Sequence, residues 1–472
     1  MTAIPGKTQR HRSLIFGGLA AVLMLVVWSL GLGGAWFQAQ AAEPKNQGVR
    51  LVITSKDALL PSKGAVFTLL KRVTAAELNA VLDRERQVFL ASPQVSADYT
   101  APEKSTAAND IDLYTATYES TVPELGNRKI TATGLVAIPV LQRPGPLPSI
   151  IYQHGTAFGK FEVPSYAFQP TNPTGYPHYD GAYETRYMAA LYGGNGYVVI
   201  AADYFGMGGS AAEPEAYFVK GSTQQASYDF YQAASAFLRS KGIETSHLFV
   251  SGWSQGGLNA TGLLQKLEGE KVEVTAAFTA SNPADPFTAL NGLMYFPRAG
   301  TDAVWLNTIV ALSVFAFENY YQEPGLAKSV LATDAYDDMQ SIYERSYAGP
   351  QALGVMLEKY SQRPLLDYFQ PEYRDPAFFA RSRYGQLLQQ SETLRQLFKT
   401  PIRTYYGSAD EAIKEMVGTL VAQYQRVLIG HADEISQSRV EAVKVPGGNH
   451  RQTFITAASL AKDWFDGFSN SK

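Results

Sequence analysis

The chain has 472 residues, 46% of them hydrophobic, with 40 Lys and Arg against 43 Asp and Glu and no cysteine. Such a composition excludes a disordered, collagen-like or coiled-coil chain, and the length indicates two or three structural units around an ample core. A formal charge of −3 leaves no basic surface for phosphate, so nucleic acid is not an expected partner; zero cysteine removes disulfides, thiolate metal sites and cysteine nucleophiles together.

Lys7, Arg10 and Arg12 precede an uncharged stretch, residues 13–42, in which Ala39-Gln40-Ala41 comes just before Glu43-Pro44. A basic start, an apolar middle and a small-x-small end are the parts of an export signal, so residues 1–41 read as a signal peptide cleaved near Ala41. The alternative is a retained anchor, since residues 14–37 are long enough to span a bilayer and would associate the protein with the membrane. In either case the remainder is expected to be exported, periplasmic or extracellular.

Residues 42–108 read as an N-terminal extension with a helix at 75–89. Alternating patterns at 111–118 and 130–139, joined by the turn-rich Glu124-Leu-Gly-Asn127, predict an antiparallel hairpin. From residue 149 the rhythm becomes strand–helix alternation. Strands are expected at 149–153, 197–202, 247–252 and 272–280, and helices at 183–191, 224–238 and 255–267. This pattern makes a mainly parallel sheet flanked by helices. It stops over residues 286–399, where helical periodicity carries no convincing strand. It resumes with a strand at 402–406, a helix at 411–429, a strand at 440–445 and a last helix at 452–468. The expected organisation is an α/β core of residues 109–285 and 400–472, with residues 286–399 as a helical cap inserted before the 402–406 strand.

Phe249-Val-Ser-Gly-Trp-Ser-Gln-Gly-Gly257 contains Gly-x-Ser-x-Gly between a predicted strand and a predicted helix. A bend that tight strains the serine backbone, pushes the hydroxyl outward and leaves room for no side chain at Gly252 or Gly256. Ser254 is therefore the expected nucleophile, and the amide of Gln255 at the helix start the expected oxyanion donor. A glycine-rich packing turn would not need the serine.

A serine hydroxyl near neutral pH needs a base. Of the six histidines, His11 lies in the export segment and His247 begins the elbow strand. His178 lies in the long loop after the 149–153 strand and His431 in a polar segment before the last strand, both reading as solvated structural residues, and His154 reads as a brace of its loop. His450 follows the last strand in Pro446-Gly-Gly-Asn-His450, on the same sheet edge as Ser254, and is the expected base. The orienting acid is expected on another strand end, and Asp410 fits in Gly407-Ser-Ala-Asp410; Asp285 is the rival, Glu411 reads as a helix start and Asp203 as a carboxylate bonded to its own turn. A second oxyanion amide is expected from Gly155, Thr156 or Ala157, after the 149–153 strand.

With these residues in view, the chain resembles the α/β-hydrolase superfamily, and more narrowly the secretory lipases of the lipase A type. Tyr152-Gln-His-Gly-Thr156 resembles the family's oxyanion strand, and Asp203-Tyr-Phe-Gly-Met-Gly208 its Asp-Tyr-x-Gly-x-Gly segment. Gly252-Trp-Ser-Gln-Gly-Gly257 resembles its elbow, and Gly407 to Asp410 with Asn449-His450 its acid and base. The resemblance covers about residues 110–470. It implies an α/β-hydrolase fold, a small-molecule or lipid-like ester substrate, an acyl-enzyme on Ser254, no cofactor or metal, and a cap over an acyl pocket. Eukaryotic members usually carry disulfides, which this chain cannot form. The oligomeric state and acyl preference are not implied.

Two other functions share these features. A serine peptidase or amidase would use the same triad but would want a charged anchor, for which the insertion offers Arg298, Glu318, Arg345, Arg363, Arg374 and Arg381. A non-catalytic exported binding protein would leave the triad idle. Haloalkane dehalogenases and epoxide hydrolases need an acid where Ser254 stands. The aromatics bear on the same question: of 57, residues 286–399 hold 19 and residues 152–237 another 19. Most are expected to pack a core, and some to line a partly polar pocket above Ser254.

Overall fold

The computed structural model describes residues 60–62, 64–91, 96–142, 145–171, 173, 181–345, 359, 363–429 and 439–469. The export segment, His11, His178, His431, Tyr176 and Tyr179 lie outside the described residues. No helix among the described residues is long and apolar enough to cross a membrane.

Ten strands make one sheet: β1 Leu60–Ser62, β2 Ala65–Val73, β3 Ile111–Val122, β4 Arg128–Pro139, β5 Leu147–Gln153, β6 Val198–Ala202, β7 Thr245–Trp253, β8 Ala276–Ala280, β9 Ile402–Gly407 and β10 Val440–Val445. Their order is β1-β2-β3-β4-β6-β5-β7-β8-β9-β10. Pairing is antiparallel from β1 to the β4–β6 contact and parallel from β6 through β10. β6, β7 and β8 carry buried, small or β-branched runs, as strands covered on both faces must. The chain steps from β5 out to β6 and returns across β5 to β7. That reversal opens a crevice at the carboxyl ends of β5 and β7, where open α/β sheets bind ligands.

The helices Ala75–Leu90 and His450–Ser469, with Tyr183–Met188 continued by a π-turn over Ala189–Gly193, cover one face around Phe89, Tyr192, Phe454 and Phe465. Lys220–Ser240 packs Phe230 and Phe237 on the opposite face, and Gln255–Gly269 packs Leu263, Leu264 and Leu267 beside it. The extension is part of the same sheet. β2 pairs with β3 over its whole length, and the Phe67 ring stacks on Phe237 at 4.1 Å. β2 carries no local sign of its pairing in the sequence, because its partner lies some forty residues on.

Between β8 and β9 the described residues form helices and a single isolated bridge, Leu331 to Phe369. Among the described residues, most of the aromatics of this segment are buried or half-buried in one cluster with Tyr217 and Phe218, including Phe315, Phe317, Tyr368, Phe369, Phe379 and Tyr384. Packing therefore accounts for most of the aromatic surplus.

Candidate active site

β7 delivers Trp253 into the crevice and the helix Gln255–Gly269 starts two residues later, so Ser254 must turn the chain within one residue. Its φ of 58° and ψ of −124° are sparsely populated for any residue with a side chain. The flanking glycines are compulsory. A Cβ on Gly252 would stand 1.9 Å from the Gly256 carbonyl oxygen, and one on Gly256 would stand 2.0 Å from that of Gln153. Both obstacles are backbone and neither can swing aside. Gly252→Ala is expected to cost at least about 3 kcal/mol of unfolding free energy; a urea midpoint within error of the parent would contradict this account.

His450 opens the helix His450–Ser469, and its Nε2 lies 3.0 Å from Ser254 Oγ. Its Nδ1 lies 3.1 Å from both carboxylate oxygens of Asp410. The structure thus brings together Ser254, His450 and Asp410 from three separate strand ends. Burial pushes the His450 ring down, but the adjacent Asp410 carboxylate, its hydrogen bond and Glu411 outweigh it and hold the pKa above the usual histidine value. Burial likewise raises Asp410, and the His450 charge and hydrogen bonds more than reverse it. With Nδ1–H donated to Asp410, Nε2 presents its lone pair to Ser254.

Asp410 is held on all sides. Its Oδ1 accepts the amides of Ala412 and Ile413 at 2.8 Å, and its Oδ2 accepts the Ser281 hydroxyl at 2.6 Å. Ser281, just past β8 with φ of 47°, escaped the sequence reading; a polar residue at a strand end beside the elbow was the signal available. Glu411 does not start a helix: it accepts the His450 amide at 3.0 Å, and the helix begins at Glu415. Asp285 caps the helix Pro286–Tyr295 by accepting from Thr288, which removes it as the acid.

At the other side of the crevice, His154 is buried and held near a pKa of about 4 by burial, so it is neutral. It stacks on Tyr204 at 4.1 Å; its Nδ1 lies 2.8 Å from the Gly155 carbonyl oxygen and its Nε2 3.3 Å from that of Asp203, and the single N–H of the neutral ring donates across the shorter contact, to Gly155. The oxyanion assignment needs one correction. The Gly155 amide points at the Glu184 carboxylate, 3.0 Å from each oxygen, and is not available to a substrate. Among the described residues the amides of Thr156 and Gln255 make no hydrogen bond, and the Thr156 hydroxyl sits 2.8 Å from that of Tyr217. Asp203 is also not bonded within its own turn. It accepts from Ser165 and Thr133, which keep its burial-raised pKa near about 6.

Ser254 opens into a cavity between the elbow and the helices that follow β8. Its walls include Leu290, Leu293, Leu306, Ile309, Leu388 and Ile413, with Tyr217, Phe218, Trp305 and Tyr384 as the aromatic members. No charged side chain lines it among the described residues. The cationic anchors offered by the insertion are engaged elsewhere: Arg298 with Asp302, Arg345 with Glu215, Arg363 with Asp334 and Arg374 with Asp367. Glu318 accepts the Ala327 amide, and Arg381 ends an exposed helix turn. The insertion is tied to the acid-bearing loop, because Arg298 donates to the Asp410 carbonyl at 2.9 Å.

Comparison with known proteins bears on the fold. A model of the prolyl oligopeptidase family matches residues 183–299, the stretch that holds the elbow. No curated relative matches the chain by sequence. Among solved structures, a Legionella pneumophila protein described as a hydrolase superposes with a TM-score of 0.67 at 19% identity, covering 86% of this chain and 98% of its own. The rice cell wall degrading esterase LipA of Xanthomonas oryzae gives 0.62 at 19% identity, over 87% and 97%. Lipase A of Candida antarctica gives 0.53 at 16% identity, over 76% and 77%. The fold is the α/β-hydrolase fold.

Proposed function

We propose that this protein is an exported serine carboxylic ester hydrolase whose triad is Ser254, His450 and Asp410. The observation that carries the reading is a histidine within hydrogen-bond reach of both a strained elbow serine and a buried carboxylate, at the mouth of an apolar cavity. Ser254 Oγ attacks the ester carbonyl carbon as His450 Nε2 takes its proton. The charge that develops on the carbonyl oxygen is received by the amides of Gln255 and Thr156. Collapse breaks the bond to the alcohol oxygen, which leaves with the proton from Nε2, and the acyl group stays on Ser254. Water then repeats the sequence, releasing the acid and restoring the serine.

The uncharged cavity favours an acyl group over a peptide terminus, whose charge would be buried there unpaired. The match to a peptidase family keeps amide hydrolysis as the second reading. p-Nitrophenyl esters of rising acyl length beside aminoacyl anilides separate the two; faster turnover of the anilides would sink the ester assignment. Residues 286–399 act as a cap in this reading. Ala289→Trp, which fills the cavity from the cap side, is expected to raise KM for decanoate esters about tenfold while leaving acetate esters within about twofold. An equal effect on both would show that the acyl chain lies elsewhere. Export is supported by the sequence of residues 1–41 and by the Xanthomonas esterase, whose described action is on a plant cell wall.

A further inference from the structure

The helix Tyr183–Met188 places a carboxylate where the proposed chemistry has not used it. Glu184, one residue into the helix Tyr183–Met188, is buried behind the loop that follows β5. Both its oxygens accept the Gly155 amide at 3.0 Å, and Oε2 also accepts the Tyr152 hydroxyl. Among the described residues no Lys or Arg pairs with it. The fit is close: a Cβ on Gly155 would stand 3.3 Å from Glu184 Oε1 and 3.2 Å from the Trp253 carbonyl oxygen. Burial raises the Glu184 pKa to about 7, with Tyr152, the Gly155 amide and the charge of His450 pulling the other way.

A buried carboxylate without a cation is costly, and an apolar residue in its place would leave the Gly155 amide without a partner. Its contacts converge on one peptide, the one that decides which way the next amide faces. The carbonyl side of Gly155 is fixed too, by His154 Nδ1 at 2.8 Å. With both sides of Gly155 held, the Thr156 amide has a set direction and no partner of its own.

We propose that Glu184 is a positioning residue of the hydrolytic reaction, holding the Gly155 peptide by its amide so that the Thr156 amide is preset for the oxyanion. This rests on the serine-hydrolase reading above. Glu184 touches neither substrate nor the reacting atoms. A loop set in advance stabilises the transition state more than the bound ester, so the effect belongs in kcat and not in KM.

The test uses the full chain and two variants. Each is measured for kcat and KM on p-nitrophenyl butyrate, for its rate of labelling by a fluorophosphonate, and for its melting temperature. Glu184→Gln keeps the shape and one acceptor for the Gly155 amide. It is expected to lower kcat about tenfold and slow labelling in proportion, with KM within about twofold and melting unchanged. Glu184→Ala is expected to lower kcat about 100-fold, near the value of one oxyanion donor. A Gln variant with parental kcat and labelling overturns the proposal, as does a loss confined to KM. If the Ala variant fails to fold, the Gln variant decides alone. A parent that labels but hydrolyses no ester removes the ester reading only, and the labelling rates still judge Glu184. A parent that does not label removes both.

Discussion

Ser254→Ala is expected to lower kcat for ester hydrolysis by about 10⁵-fold or more, with KM little changed and the fold intact. The chemistry passes entirely through one oxygen. His450 Nε2 is 3.0 Å from that hydroxyl, and without it the imidazole has no nucleophile to activate except water, which no strained bend holds in place. The same position makes a second, opposite forecast about stability. At φ 58° and ψ −124° a side chain costs about 1–3 kcal/mol, which glycine would recover, less about 0.5–1 kcal/mol for its freer unfolded chain. Ser254→Gly should therefore be more stable than Ser254→Ala by about 1 kcal/mol in urea unfolding, and equally inactive. Retained hydrolysis in either variant would remove Ser254 as nucleophile. A glycine variant less stable than the alanine one would show that the bend stores no strain.

How much of this could be read beforehand follows from how local each feature is. The elbow was legible because strand, glycine spacing and helix fall within about twenty consecutive residues. His450 was legible because it directly follows a β-branched strand at the same sheet edge. Features that depend on the direction of a peptide or on a distant partner were not. Gly155 and Thr156 are neighbours with equal claims as oxyanion donors in sequence, and only the Glu184 carboxylate behind the loop separates them. Glu184 itself sits among Tyr183, Arg186 and Tyr187, where a lone acid reads as a solvated helix face. Ser281 and Asp410 meet across 129 positions of sequence. β2 was hidden because an alternating nine-residue run, Ala65–Val73, has no turn signal linking it to β3. The aromatic surplus lies in the two segments its composition marks, but composition could not say that Phe315, Phe369 and Phe379 belong to one packed cluster while, among the described residues, four rings line the cavity.

Asp410→Asn is expected to lower kcat by about 10⁴-fold and to move the acid limb of the kcat/KM profile to lower pH. The rate falls because of which atoms the substituted side chain presents. Its carbonyl oxygen would keep the bonds from the Ala412 and Ile413 amides, leaving its NH₂ to face Ser281 and His450. A donor there turns His450 Nδ1 into the acceptor, so Nε2 carries the proton and cannot take one from Ser254. The limb moves because burial, the largest influence on the ring, lowers its pKa, and the Asp410 charge is the main group opposing it. In the parent the imidazole loses its proton above the usual histidine value, so activity rises with pH through that region. In the variant it is neutral at lower pH, and what activity is left should persist there. Stability follows with its own signs. The parent's raised His450 contributes below the unfolded histidine pKa and is lost as pH rises through the folded one. The depressed Asp410 contributes above the unfolded carboxyl pKa and is lost as pH falls through the folded one. The parent should thus gain most over the variant in the window between those two unfolded values, near pH 5, and the difference should shrink on either side. Urea midpoints measured across pH 3 to 9 check this, beside the rate profile. An unmoved acid limb, or a rate within tenfold of the parent, would mean that the carboxylate orienting His450 is not Asp410.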